Sequence, residues 1–138
     1  MRALIAALLV VFAFAPAASA QEPQEPEMPE IWSVAGKEVL RIRVTVGSLT
    51  PRQRVELLDT RLTEILSKAE RAIGVADIEL HLHARSATIT VCGDLLVTVV
   101  QDDADANKTT PERLGRVWLT NIRKTVPLLS PRVNRGGA

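Results

Sequence analysis

The strongest constraint on the fold is the strict alternation of apolar and polar residues over residues 78–100. A period of two is typical of a strand that buries one face. Three such runs follow one another with only short polar breaks, which predicts an antiparallel meander. The alternating apolar residues are Ile78, Leu80, Leu82, Ile89, Val91, Leu95, Val97 and Val99.

The two breaks between these runs determine how the strands pair. A two-residue turn at residues 85–86 is expected, and it places Leu82 opposite Ile89. The second break, at residues 92–94, needs an odd-length loop if Leu95 is to share a face with the preceding run.

The last strand also has apolar residues on its other side, Leu96 and Val100. It is therefore expected either to be central and covered on both faces or to form part of an apolar contact surface.

Two amphipathic helices are predicted, and each begins at a Thr-Pro pair. Thr50 is the expected N-cap of the first, with Pro51 as the first helical residue and Gln53 completing a capping box. This helix is expected to end at Gly74, and the second begins at Thr110. Their apolar stripes are Val55, Leu58, Leu62, Ile65, Leu66, Ala69 and Ile73, and Leu114, Val117, Trp118, Ile122 and Val126.

The order of elements predicts an α+β two-layer sandwich. A further alternation over residues 40–46 adds a first strand, which gives the order strand-helix-strand-strand-strand-helix, with a mainly antiparallel sheet and the helices on one face. The position of the first strand in the sheet stays open. Residues 102–108 are expected to form a polar loop. No internal repeat is visible in the sequence.

Composition predicts one folded domain at residues 37–127. Residues 21–36 are rich in Pro and Glu and are expected to be a flexible acidic linker, because such a composition buries too little apolar surface to order a chain. Residues 128–138 are expected to be a mobile basic tail.

Residues 1–20 have the composition of a secretory signal peptide. They contain a basic residue, Arg2, an apolar run over residues 3–14 and small residues up to Ala20. The alternative is a membrane anchor, but the run is shorter than the roughly 20 residues that span a bilayer. We therefore expect cleavage, a periplasmic or secreted protein, and no stable membrane insertion afterwards.

Charge and aromatic content disfavour two classes of partner. Loss of Arg2 with the signal would leave 16 basic and 16 acidic residues, since the whole chain has 17 and 16. That balance argues against nucleic acid, whose phosphates require clustered positive charge. Aromatic residues make up only 3% of the chain, so stacking sites for bases or sugars are also disfavoured.

His81 and His83 are candidate metal ligands. They lie two residues apart on one strand and so point to the same side, with Cys92 expected diagonally across from His81. The alternative is a polar, solvent-facing sheet surface, because a fourth ligand is missing. Cys92 is the only cysteine and is expected to be a small buried side chain, with an intermolecular disulfide or a reactive thiol as alternatives. No cofactor is expected.

Residues 103–107 resemble the start of a calcium loop, with Asp103, Asp105 and Asn107 at alternate positions. Lys108 occupies the position where that loop requires Gly, so a solvated strand-to-helix loop is favoured.

No catalytic residues are predicted. The short signatures of a nucleophile, such as GxSxG, do not occur, and neither histidine has an evident partner. The chain is therefore predicted not to be an enzyme. A small periplasmic enzyme, or a periplasmic metal-binding protein that uses His81 and His83, is the alternative.

One known family shares several of these patterns. The run over residues 41–54, with Gly47 three residues before Thr50-Pro51 and followed by Arg61-Leu62, resembles the extracytoplasmic N-terminal domain of bacterial and cyanobacterial small-conductance mechanosensitive channel homologues. Gly93-Asp94, the Asp-Ala-Asp-Ala run over residues 103–106 and the helix with Trp118 and Ile122 are similar to its second half.

The resemblance implies a periplasmic sensory or interaction module without catalytic residues. The chain ends at Ala138 without the channel part, so it is expected to be either free-standing or the remnant of a longer gene. Its partner is expected to be a membrane or envelope complex, another envelope protein or a second copy of itself.

The surface expected to contact that partner is the sheet face or the last strand. Arg41 and Arg43 are expected to pair with Glu79 across the sheet or to meet an anionic partner. Trp118 is expected in the core, while Trp32 either folds back over the domain or anchors a partner. The candidate interaction residues are Arg41, Arg43, His81, His83, Leu96 and Val100.

Overall fold

The computed structural model describes residues 27–129 of the chain. Within them, two antiparallel sheets pack with three helices, which confirms the predicted α+β class. The predicted signal peptide and residues 130–138 of the predicted tail lie outside the described residues. The elements are β1 (Glu30–Val34), β2 (Lys37–Ile42), α1 (Pro51–Lys68), β3 (Ile78–Leu82), β4 (Ala87–Val91), β5 (Asp94–Val99), α2 (Gln101–Ala106) and α3 (Pro111–Thr125).

α1 begins as predicted but ends earlier. The Thr50 hydroxyl accepts a hydrogen bond from the Gln53 amide at 3.3 Å, and the Gln53 side chain accepts one from the Thr50 amide at 3.0 Å, so the capping box is confirmed. The helix ends at Lys68 instead of reaching Gly74. The Asp77 carboxylate accepts hydrogen bonds from the Gly74 amide and the Arg71 guanidinium, which stabilises a loop where the helix was expected to continue.

The hairpin of β3 and β4 has a different register from the predicted one. The His83 amide donates to the Ser86 carbonyl at 2.9 Å, so the turn lies one residue earlier than residues 85–86, and Leu82 pairs with Ala87 instead of Ile89. Moving a turn by one residue moves the pairing by two, which leaves every side chain on its original face. Apolar alternation alone therefore could not distinguish the two registers.

The hairpin of β4 and β5 corrects the predicted odd-length loop. Its turn contains two residues, Cys92 and Gly93, both at positive φ (52° and 83°), which matches the right-handed twist of the strands. The additional residue that the apolar pattern requires lies in the strand and not in the loop: Leu96 forms a β-bulge in β5. Leu96 is fully buried and Leu95 is exposed, so neither the predicted contact surface at Leu96 nor the predicted face of Leu95 is correct.

The domain begins before the predicted boundary at residue 37. Residues 30–34, assigned by composition to the linker, form β1, which pairs with β2 and buries Trp32 and Val34. The alternation here contains only two buried positions, too few to identify a strand from sequence. The strand predicted over residues 40–46 ends at Ile42, and Val46 forms only an isolated bridge with Leu49.

The C-terminal helices differ from the predictions in two places. The expected loop at residues 102–108 contains the short helix α2. α3 is capped by the Thr110 hydroxyl, as predicted, and buries Leu114, Trp118 and Ile122, but Val117 is exposed. None of the helices in residues 27–129 is long and apolar enough to cross a bilayer.

The strands form two antiparallel sheets, β1-β2 and β3-β4-β5. The long helices cover one face of the three-stranded sheet, and the opposite face is polar, with Glu79, His81 and Thr88. α3 approaches this sheet closely at Gly115, where a Cβ atom would lie 3.1 Å from a methyl of Leu80. One apolar core joins both sheets and both long helices.

The domain contains two halves with a similar order of elements, although no internal repeat is visible in the sequence. Residues 30–68 (the first half) and 87–125 (the second half) each form a hairpin followed by a long helix, and the second half has α2 in between. Both hairpins turn on two residues at positive φ, Ala35-Gly36 and Cys92-Gly93. β2 and β5 show the same burial pattern, and their bulge residues, Val39 and Leu96, are buried. The sequence similarity between the halves is confined to short turn and cap motifs.

Candidate functional site

The two halves exchange equivalent contacts across their bulges. The Arg61 Nη1 atom of α1 donates to the Leu96 carbonyl of β5 at 3.1 Å. The Asn121 Nδ2 atom of α3 donates to the Val39 carbonyl of β2 at 2.9 Å. Arg61 and Asn121 occupy the same helical position counted from Pro51 and Pro111. Each long helix therefore contacts the bulge of the opposite half.

Each of these two contacts lies beside a pocket. The α1–β5 pocket has a volume of about 150 Å³ and is lined by Ile42, Val46, Leu49, Arg54, Leu57, Leu58, Arg61, Val97, Thr98 and Val100. The α3–β2 pocket has a volume of about 300 Å³ and is lined by Glu38, Val39, Leu40, Arg41, Asn107, Leu114, Val117, Trp118 and Asn121.

The helical residues of the two linings correspond position by position but differ in chemistry. Arg54, Leu57, Leu58 and Arg61 of α1 take the places of Leu114, Val117, Trp118 and Asn121 of α3. The α3–β2 pocket contains both an acid and a base, Glu38 and Arg41, which form an exposed ion pair at 3.3 Å. The α1–β5 pocket has apolar walls and two guanidiniums, and no carboxylate is among its lining residues.

Arg54 is fully engaged by the protein. Its guanidinium binds both carboxylate oxygens of Asp103, at 2.7 and 2.8 Å, and also donates to the Val44 carbonyl. The side chains are 10% and 1% exposed. Such a bidentate buried pair holds α2 against α1 and neutralises both charges, so its role is to position the wall of the pocket.

Asp103 and its neighbours form a structural network instead of a cation loop. The Asn107 amide donates to the Asp103 carbonyl at 2.8 Å, and the Arg43 guanidinium donates to the Asn107 side chain at 3.2 Å. The Asp105 carboxylate accepts from Gln101. The sequence placed Asp103 in a solvated loop, and only the fold brings it to Arg54.

The pocket has two arginines, and Arg61 is the one without a charged partner among the described residues. Within residues 27–129, no carboxylate oxygen lies within 4.0 Å of it, and its hydrogen bond is made to the neutral carbonyl of Leu96. Glu64 and Asp94 line a second pocket that Arg61 also borders, and both lie beyond ion-pair distance of it. Arg61 therefore offers positive charge and further N–H donors to an anion.

The open edge of β5 lies against the same pocket. Residues of an antiparallel strand alternate between bonding to one neighbour and to the other side. The Cys92 amide bonds to β3 through the Asp77 carbonyl, so Ile89 bonds toward β5, where its partner is Val97. The main-chain N–H and C=O of Thr98, which is one of the pocket's lining residues, consequently point away from β4.

The predicted interaction residues are distributed over separate places. Arg41 pairs with Glu38, and Arg43 bonds Asn107, so neither reaches Glu79 as expected, because β2 and β3 belong to different sheets. Leu96 is buried, and Val100 lines the α1–β5 pocket.

His81 and His83 lie on the exposed polar sheet face. Their Nε2 atoms hydrogen-bond to the hydroxyls of Thr90 and Thr88, at 3.1 and 3.2 Å. The observed register pairs His81 with Thr88, so Cys92 is further from His81 than the predicted register implied. The part of the chain that the structure describes contains no group of three or more His, Cys, Asp or Glu side chains able to hold a metal ion.

Cys92 is exposed at its turn, which corrects the prediction of a buried side chain. Partial desolvation and then the negative charge of Asp77 raise the pKa of its thiol. The Arg71 guanidinium and the Gly74 amide lower the pKa of the Asp77 carboxyl to about 2. The thiol is therefore protonated near neutral pH, which favours an unreactive cysteine.

Comparison with known proteins identifies a family. A family model described as a domain of unknown function, DUF8459, matches residues 31–127. These bounds agree with the folded elements, since the match includes most of β1, which composition had assigned to the linker. No curated protein and no solved structure matches the chain.

Proposed function

For this chain, which belongs to the DUF8459 family, we propose the function of an exported, non-enzymatic interaction module that binds a protein partner in the cell envelope. The proposed binding site is the α1–β5 pocket together with the open edge of β5. The observation that carries the proposal is the combination of apolar walls with the unpaired guanidinium of Arg61.

The chemistry of the pocket lining supports binding over catalysis. Among its lining side chains, only Thr98 has a hydroxyl, and the charged groups are guanidiniums, which do not exchange protons near neutral pH. Positioned proton donors and acceptors are what acid–base catalysis requires. A concave apolar surface with one oriented polar group is typical of a recognition site.

The edge of β5 supports a protein as the occupant. A main-chain N–H and C=O that point outward from a strand edge can pair with an extended segment of another chain. The positive charge of Arg61 favours a segment that carries negative charge. The β3 edge offers a poorer site, because it borders a polar groove formed by Glu79, His81, Arg116 and Arg123.

Two features of the sequence support action in the envelope. The composition of residues 1–20 favours export, and the resemblance to the extracytoplasmic domain of mechanosensitive channel homologues favours a sensory role beside a membrane complex. Arg61, one of the residues that carries this resemblance, lines the proposed site.

Site-specific photocrosslinking tests the proposal. A photoreactive benzoylphenylalanine replaces Leu49, which lines the pocket and is 38% exposed, or His83 on the polar sheet face as a matched control. In cells that export the chain, we expect Leu49 to crosslink to an envelope protein and His83 not to do so. Sequencing of the recovered N-terminus is expected to begin near residue 21.

Two outcomes would contradict this proposal. Equal crosslinking from the two positions would remove the assignment of the pocket. Recovery of the chain in the cytosol with Met1 still present would remove the assignment to the envelope.

A further inference from the structure

We propose that the α1–β5 pocket recognises the free C-terminus of its partner, with an aliphatic last residue in the pocket and its carboxylate on Arg61. This inference rests on the proposed function and deepens it by naming the chemistry of the partner.

The size and chemistry of the α1–β5 pocket match one aliphatic side chain. A volume of about 150 Å³ is comparable to cavities that accept a six-carbon group. Leu57, Val97 and Val100 form apolar walls around it, so an aliphatic side chain is a better match than a polar one. A single side chain of Leu, Ile or Val matches this space, whereas an amphipathic helix would need a longer groove.

Arg61 is the group in the pocket that can bind an anion. Arg61 uses one Nη1 hydrogen for the Leu96 carbonyl, and a guanidinium has five N–H donors. No carboxylate in residues 27–129 lies within 4.0 Å of it. A planar carboxylate is the group whose two oxygens match this fork of donors, and the terminal carboxylate of a peptide is both planar and attached directly to the main chain.

The open edge of β5 connects the apolar pocket with Arg61. Leu96 and Thr98 both direct main-chain groups away from β4, and Arg61 already occupies the Leu96 carbonyl. Beyond Thr98, the Val100 amide is occupied by Asp103. The open edge is therefore one residue long and is bounded by Arg61. A partner strand antiparallel to β5 would pair with Thr98 and reach Arg61 as it ends, which favours a chain terminus over an internal segment.

The pseudo-equivalent α3–β2 pocket provides an internal contrast. There, Trp118 replaces Leu58, the neutral Asn121 replaces Arg61, and Glu38 compensates Arg41. Anion recognition is therefore assigned to the α1–β5 pocket alone.

Paired peptides test this inference on protein purified from cells that express the full-length gene. The probes are an acetylated tetrapeptide that ends in leucine with a free carboxylate and the same peptide with a C-terminal amide. We expect the acid to bind and to shift the NMR signals of Thr98 and the Arg61 side chain, with the amide weaker by about 10- to 100-fold.

Three variants assign the preference to residues. Arg61→Gln is expected to abolish the preference for the acid, and Arg61→Lys to retain part of it. Leu57→Trp fills the pocket and is expected to abolish binding of both peptides. Arg116→Gln, an exposed arginine of α3 that pairs with Glu112, is the matched control and is expected to leave binding unchanged. Circular dichroism verifies that each variant is folded.

Equal binding of acid and amide, or a preference that survives in Arg61→Gln, would overturn carboxylate recognition. If neither peptide binds while the Leu49 crosslink to an envelope protein persists, the C-terminus is the wrong partner chemistry and the proposed function stands. If the crosslink also persists in Leu57→Trp, the pocket is the wrong site, and the assignment of the binding site within the proposed function fails.

Discussion

At matching positions, α1 has Arg54 and Arg61 where α3 has Leu114 and Asn121. The elements around these positions are similar, apart from α2 in the second half: each long helix follows a bulged hairpin, begins at a Thr-Pro pair and contacts the bulge of the other half. The difference lies in charge. The second half places uncharged side chains at both helical positions, whereas the first half brings in two guanidiniums, of which only Arg54 is neutralised.

This difference teaches that a repeated framework can separate stability from recognition. Equivalent hydrogen bonds from Arg61 and Asn121 hold both bulges, so holding a bulge does not require a charge. The positive charge of Arg61 is therefore not needed to hold the bulge. This is the physical basis for assigning recognition to the α1–β5 pocket and not to the α3–β2 pocket.

The largest expected effect comes from the ion pair that joins Arg54 of the first half to Asp103 of the second half. Asp103→Asn leaves the buried guanidinium of Arg54 without a counter-charge, and we expect a loss of about 3–5 kcal/mol in the free energy of unfolding, measured in urea. Asp102→Asn, an exposed neighbour, is the control. A loss below about 1 kcal/mol would place the pair among surface ion pairs and contradict its structural role.

The bulges allow the halves to be compared through equivalent truncations. Leu96→Ala is expected to lower the free energy of unfolding by about 2–5 kcal/mol, because it leaves a cavity at a fully buried site. Val39→Ala removes fewer buried atoms and is expected to cost about 1.5–3 kcal/mol. Leu95→Ala, at an exposed neighbouring position, should change stability by less than about 0.5 kcal/mol. Chemical denaturation that ranks Leu95 with Leu96 would contradict the bulge.

A smaller effect is expected from the contact between α3 and β2. Asn121→Ala removes the donor to the Val39 carbonyl, and we expect a loss of about 1–3 kcal/mol, because a partly buried acceptor loses its partner. Lys124→Ala, an exposed residue of the same helix, is the control for helix propensity. If thermal unfolding shows equal losses for the two variants, the reciprocal contact is not a stabilising feature of the repeat.

The smallest effect concerns the loop that the halves do not share. Asp77 has a folded pKa of about 2, below its ordinary value of 3.8, so its ionised form stabilises the folded state. That contribution is complete above about pH 4 and is lost as the pH falls toward 2. We expect Asp77→Asn to flatten the decline in stability over this interval, measured by urea unfolding at several pH values. An unchanged slope would show that the Arg71 contact does not stabilise the loop.

Local patterns predicted the beginnings of both long helices and the face of most strand residues. A capping box involves residues three apart, such as Thr50 and Gln53, so its hydrogen bonds follow from neighbouring residues. Alternation predicted that Ile78, Ile89 and Val97 are buried. Alternation could not predict the register, because a shift of two residues returns each side chain to the same face. It could not predict the bulge at Leu96, because Val97 and Val99 lie on the expected face with or without it.

The candidate site was largely hidden from the sequence for a related reason. Arg54 meets Asp103, and Arg61 meets Leu96, through contacts between distant parts of the chain, and no periodic pattern encodes such a pairing. Of the predicted interaction residues, only Val100 lines the α1–β5 pocket. The sequence by itself determined the class of fold and the helix starts, which depend on hydrogen bonds and burial within a few residues. The tertiary structure alone decided which guanidinium is neutralised and which remains available, because that depends on how the two halves pack across each other.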